Sequence, residues 1–284
     1  MKTPTVFLSF GLLIVANLSD GSRLAKADDD APNWQRLSEW TRALSEKYGF
    51  EVATAREPYA DKATKYQPTT WESYVSFVPV LEESLGRLPV DFLKAAGLRK
   101  LVLCGEIEHY QIKYPGLAEP LNSLIYIDVR ALISDKIQQM IYDRSRLFHE
   151  FYHLVDHDLC YNPVSRAYSD YAWQGLNAAD FRYVIDGGER PVNSGLKEPM
   201  PGFLTSYCRQ AIGEDKSEIF AWLIVRPDLV EAKQADDRIL KAKVDSLKET
   251  LKKKYPGMDD KFWLDNQKSY HNMRPRPQGV PKTP

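Results

Sequence analysis

Cysteine is scarce, three residues in 284, an odd number with no C-x-x-C spacing among them. That excludes a disulfide framework and a thiolate zinc site. Charge imbalance is missing too: Lys plus Arg number 38 against 39 Asp plus Glu, so nothing draws the chain to nucleic acid or anionic lipid. The basic run at 238–254 is interrupted by Asp245 and Glu249 and carries leucines at helical spacing, as on a solvated helix face. No long apolar run occurs beyond Val6–Ala16, which is too short to span a bilayer. That run follows Lys2 and precedes Ala25-Lys26-Ala27, the layout of an export signal. Residues 1–27 are therefore expected to be a signal peptide, and the mature chain to be secreted or periplasmic without a membrane span. A cut near Ser19-Asp20-Gly21 and an uncleaved anchor are the alternatives.

Histidine is also sparse, five residues, yet three of them fall between 149 and 157. His149-Glu150-Phe151-Tyr152-His153 is a His-Glu-x-x-His motif on a segment with helical periodicity. Ile141, Phe148, Phe151 and Val155 form an apolar stripe, and Asp135-x-x-Gln138 has capping-box form. One helical turn separates His149 from His153, so both imidazoles reach one Zn²⁺ at about 2.0–2.1 Å. Glu150 stands beside them, where a carboxylate takes a proton from water. A core helix carrying two histidines by chance is the bland alternative.

The third ligand decides between these readings, because a catalytic zinc takes three protein ligands and keeps one open position. The position ten residues after His149, where metzincins carry histidine, is Leu159. His157 lies about 12 Å along the helix from His149 at about 1.5 Å per residue, too far for one ion. It suits the helix end, as a cation against the dipole. Glu214 and Glu218, four apart at the start of a later helix, remain. One can bind metal while the other accepts a hydrogen bond from a ligand imidazole. Spacing does not choose between them, and an acid-rich start of a surface helix would carry the same letters.

His-Glu-x-x-His followed by Tyr207-x6-Glu214-x3-Glu218 resembles the gluzincin metallopeptidases related to anthrax lethal factor. It is more similar still to bacterial zinc-binding metallopeptidases with a Glu-Asp-x-Ala-Glu box. Here the box reads Glu214-Asp215-Lys216-Ser217-Glu218, with Ser in place of Ala. Trp173-Gln-Gly-Leu-Asn177 through Phe181-Arg-Tyr183 resembles a further stretch of those proteins, with Ala178 where Pro is frequent. The resemblance spans roughly residues 95 to 265. It implies His149, His153 and Glu214 as ligands of one Zn²⁺ per chain and Glu150 as general base. It also implies Glu218 as partner of a ligand histidine and Tyr207 as donor to the developing oxyanion.

The rest of the chain reads as α+β: a small, mostly antiparallel sheet packed on the His-Glu-x-x-His helix, then a helical lobe carrying Glu214. A helix with Trp34, Leu37, Trp40, Leu44 and Tyr48 stops at Gly49, and 50–54 is a short strand. Residues 70–97 are helical with an interruption expected at Pro79. Strands at 99–105 and 123–129 are separated by a loop that permits an antiparallel pair. Helix 135–158 follows. Residues 161–212, with Gly187-Gly188, are irregular, and helices come near 214–225 and 228–254. Residues 28–270 make one catalytic domain, the sheet lobe running to about 160, with a proline-rich disordered tail at 271–284. Cys104 suits a buried apolar strand, whereas Cys160 and Cys208 flank the proposed site and are candidates for a disulfide pinning the Tyr207 loop. Trp173, Phe181 and Tyr183 suit a core better than a substrate groove.

These features predict a secreted zinc-dependent peptidase. Its peptide or protein substrate would lie along an exposed strand, for which Ser123–Asp128 is the candidate. A non-catalytic metal-bound module and a zinc hydrolase of a non-peptide amide are the alternatives.

Overall fold

The computed structural model describes residues 31–133, 135–165, 167–186 and 200–273. The expected signal peptide, Gly187-Gly188 and most of the expected tail lie outside them.

Helix α1 (Ala31–Tyr48) turns its leucines inward and ends where Gly49 adopts φ 80°. Strands β1 (Glu51–Thr54), β2 (Tyr59–Ala60) and β3 (Thr64–Gln67) precede α2 (Trp71–Gly86) and α3 (Val90–Ala95). The break in this helical stretch falls at Arg87–Pro89 and not at Pro79, which sits inside α2. Pro79 faces back on Val75, an exposed residue, so the carbonyl it leaves unbonded can be satisfied by water.

The sheet is organised by one long strand, β4 (Lys100–His109), followed by β5 (Ile112–Tyr114), β6 (Gly116–Glu119) and β7 (Leu124–Asp128). The first half of β4 lies between β1 and β7, and its second half pairs with β3 and β5. The change falls at Glu106, held at φ 43° with its N–H turned to the Asp128 carboxylate. Most pairings are antiparallel, but β4 and β7 run parallel, with Leu101 opposite Ile125. The expected antiparallel pair fails because the chain reverses twice between them, into β5 and again between β6 and β7. Strand β7 is interior, and β6 is the edge of the sheet beside it. Ser123–Asp128 is therefore not an exposed strand.

Helix α4 (Lys136–Cys160) is capped by the Asp135 carboxylate, which accepts from the Gln138 N–H. It lays Leu147, Phe148, Phe151 and Val155 against Leu101, Leu103, Ile125 and Ile127 of the sheet. The opposite sheet face buries Val102, Cys104, Ile107, Leu117 and Tyr126. Burial on both faces explains why Leu101-Val102-Leu103-Cys104 is uninterruptedly apolar.

The small hairpin β8 (Tyr161–Asn162) and β9 (Ala167–Tyr168) leads to the short α5 (Tyr171–Gln174). The helical part follows: α6 (Ile212–Val225), α7 (Pro227–Asp236), α8 (Arg238–Lys254) and α9 (Asp260–Met273). The stretch expected as one helix at 228–254 is two, because Asp237 leaves helical geometry to cap α8 through the Leu240 N–H. Helix α9 extends through Met273. Helices α4 and α6 pack side by side, and this contact builds the site.

Candidate metal centre

Helical geometry sets His149 and His153 one above the other on α4. Glu214 enters from the first turn of α6, where a carboxylate is favoured by the helix dipole. The three ligand atoms converge. His149 Nε2 lies 3.0 Å from Glu214 Oε2, His153 Nε2 lies 3.1 Å from His149 Nε2, and His153 Nε2 lies 3.4 Å from Glu214 Oε2. Ligand atoms in a tetrahedral zinc site with bonds of about 2.0–2.1 Å stand about 3.3 Å apart. Among the described residues these three form a group with the spacing to hold a metal ion.

The far nitrogens of both rings face oxygens. Glu218 Oε1 is 3.2 Å from His149 Nδ1, and Ser217 Oγ is 3.2 Å from His153 Nδ1. Carboxylates therefore stand at both nitrogens of His149, Glu214 at Nε2 and Glu218 at Nδ1, which favours positive charge on the ring or a cation held beside Nε2. Burial opposes charge on His149, but its bonds to Glu214 and Glu218 and the nearby Glu150 raise its pKa well above 6.5. Against a burial effect that would raise it, the two imidazoles hold the Glu214 carboxyl down to about 2. The donor set, two nitrogens and one carboxylate oxygen, is compatible with zinc.

Glu150 is buried next to this group. Burial raises its pKa, His149 and His153 oppose that, Glu214 adds to it, and the Ala118 N–H of β6 donates to the carboxylate. Its Oε2 has no hydrogen-bond partner among the described residues. Tyr207 sits in a 3₁₀ turn, Tyr207–Arg209, with its ring centroid 5.8 Å from that of His149. Burial and then the charges of Glu214 and Glu150 raise its phenol well above 10, so it stays protonated and donates to Glu214. All six residues expected at the site, His149, Glu150, His153, Tyr207, Glu214 and Glu218, are thus brought together.

His157 stands apart, its ring stacked on Tyr161 at 4.3 Å. Burial lowers its pKa against the opposing charges of Asp156 and Asp158, which disfavours the cation expected at the helix end. Cys160 and Cys208 are free thiols and form no disulfide. Cys208 faces Thr205, while Cys160 faces Asp156, Asp170 and Lys216.

Sequence reasoning assigned nothing to the middle of the Glu214–Glu218 box, yet each residue there has a definite place. Asp215 Oδ2 accepts from Trp173 Nε1 at 3.0 Å, Tyr183 Oη at 2.8 Å and Lys243 Nζ at 2.7 Å. Trp173 and Tyr183 are core residues, as expected, but they also bear hydrogen bonds to this carboxylate. Lys216 turns the other way and is neutralised by Asp156 and Asp170. Lys243 additionally donates to the Gly202 carbonyl, in the segment leading to Tyr207. The polar tips of Trp173 and Tyr183 were the available signal, since buried N–H and O–H groups need acceptors.

No family model matches the chain, and no curated protein matches it. Among solved structures it is similar to a "putative zinc-binding metallo-peptidase" from Bacteroides caccae ATCC 43185, with a TM-score of 0.53 and 13% sequence identity over 87% of this chain and 97% of that one. At that identity the likeness shows a shared fold. No described helix is long and apolar enough to cross a membrane.

Proposed function

We propose that this chain is an exported zinc-dependent peptidase of the gluzincin type, with Glu150 as general base. One observation carries the reading. Three ligand atoms converge within 3.0–3.4 Å beside a buried glutamate whose Oε2 has no partner among the described residues. His149, His153 and Glu214 would hold the metal, and Glu218 would orient His149. Zinc bound there supplies Lewis acidity, polarising a carbonyl and acidifying water.

The chain's own groups account for the remaining steps. Glu150 accepts the proton of the attacking water and returns it to the departing amine, and burial raises its pKa above the ordinary glutamate value. Tyr207, protonated and aimed into the same space, donates to the oxyanion as it develops. The peptide lies along β6, which pairs with β7 alone among the described strands and whose Ala118 N–H already points at Glu150.

The test is metal stoichiometry together with cleavage of a peptide library, on wild type and Glu150→Gln. Both proteins should hold about one zinc, and only the wild type should cleave. Near-wild-type cleavage by Glu150→Gln removes the general base from the mechanism. Export is checked separately, by whether chain recovered outside the cytoplasm begins near Asp28.

A further inference from the structure

The two histidines of the centre are held by unlike partners. His149 Nδ1 meets a carboxylate, Glu218, whose other oxygen is bonded by Thr205 and Trp222. His153 Nδ1 meets a hydroxyl, that of Ser217, a fully buried residue on α6. Asp156, whose Oδ2 borders Gly213 together with that edge of the ring, has both oxygens engaged. Lys216 Nζ takes Oδ1 at 2.7 Å and the Tyr168 hydroxyl takes Oδ2. The ring itself lies against Gly213, one helical turn before Ser217, where an added Cβ would stand 3.6 Å from Nδ1. At that separation a methyl group would make ordinary contact, so the ring simply packs on α6 while Ser217 provides the polar contact.

The geometry assigns Ser217 as the positioning residue of His153: its Oγ accepts the Nδ1 proton and so presents Nε2 as the ligand atom. The inference rests on the zinc reading above. A histidine that can place its proton on either nitrogen, or rotate its ring, binds metal more weakly than one whose far nitrogen is already bonded. With a metal on Nε2 the ring must keep its proton on Nδ1, and alanine at 217 would then take away the oxygen that receives it, whereas in the metal-free protein the proton can move to Nε2.

The experiment uses full-length mature protein, wild type and Ser217→Ala, with zinc and cobalt(II) as probes. Chelator competition should show zinc bound on the order of 10-fold more weakly by Ser217→Ala. The thermal midpoint of the metal-free protein should be unchanged, which separates positioning from packing. The visible spectrum of the cobalt form should shift as the His153 ring is released. A measurement on wild type alone covers the case in which the variant does not fold. In the zinc-loaded protein, ¹H–¹⁵N spectra of the His153 ring should place a slowly exchanging proton on Nδ1. Wild-type zinc affinity in Ser217→Ala, or a wild-type ring proton found on Nε2, overturns the assignment and leaves the zinc reading intact. Zinc binding by wild type no tighter than by His149→Ala overturns the zinc reading itself, and the assignment of Ser217 with it.

Discussion

Gly116 and Glu150 touch so closely that any side chain at 116 would have to displace Glu150. A Cβ built on Gly116 would lie 2.8 Å from Glu150 Cγ and 2.9 Å from its Oε1, with Arg146 Cγ at 3.0 Å. Strand β6 presses its backbone onto the helix turn that carries Glu150. Arg146 closes the same corner by donating to the Pro115 carbonyl at 2.8 Å.

Gly116→Ala should therefore displace the Glu150 side chain while leaving the three ligand residues in place. Zinc content should remain full and kcat should fall on the order of 10²-fold, since a base moved by about 1 Å loses its alignment. Full activity in this variant would show that Glu150 can work from another rotamer.

Removal of a ligand should act on the metal itself. His149→Ala and Glu214→Ala should each lose most bound zinc after dialysis, and His157→Ala should keep it, because His157 stacks on Tyr161 away from the centre. Metal analysis of the three purified proteins decides this. Retention by Glu214→Ala would transfer the ligand role to Glu218.

Lys243 is fully buried and paired with a fully buried Asp215. Lys243→Met would strand that carboxylate without its counter-charge, at a cost of about 3–5 kcal/mol. Denaturant unfolding should show the loss, and Lys243→Met combined with Asp215→Asn should recover part of it. Equal stabilities for the single and double variants would mean that water supplies the missing partner.

Acid sensitivity should be traceable to Asp170. Burial alone would raise its pKa, but the Lys216 ammonium and the Trp173 N–H outweigh burial and hold it below 3.8. A depressed carboxylate contributes stability that is fully present above its unfolded pKa and is lost as pH falls through the folded value. Asp170→Asn should thus flatten the stability curve below about pH 4. Parallel acid limbs for the variant and wild type would place the coupling elsewhere.

The local features were legible because their causes are local. The stop of α1 at Gly49, the Asp135 cap, the apolar stripe of α4 and the one-turn spacing of His149 and His153 depend on neighbours within a few positions. The parallel pairing of β4 with β7 was not legible, because direction depends on how many times the chain reverses between them. The interruption placed at Pro79 failed for a related reason: a proline whose freed carbonyl faces water can be carried inside a helix. Ser217 looked like a mild exchange for alanine because its partner, His153, lies on another helix.

What the sequence determined by itself is the stereochemistry of one helix. A repeat of 3.6 residues places two imidazoles on one face with a carboxylate at their side, whatever surrounds them. Tertiary structure decided everything that crosses between elements. It put Glu214 at the Nε2 atoms of both histidines and Glu218 at Nδ1 of His149, an arrangement spacing had left open. It turned Asp215 toward Lys243 and Lys216 toward Asp156, and it laid Gly116 on Glu150. Those relations arise where α4, α6, α8 and β6 pack, between residues far apart in the chain. Close packing admits one arrangement of their side chains, and no periodicity along the chain encodes it.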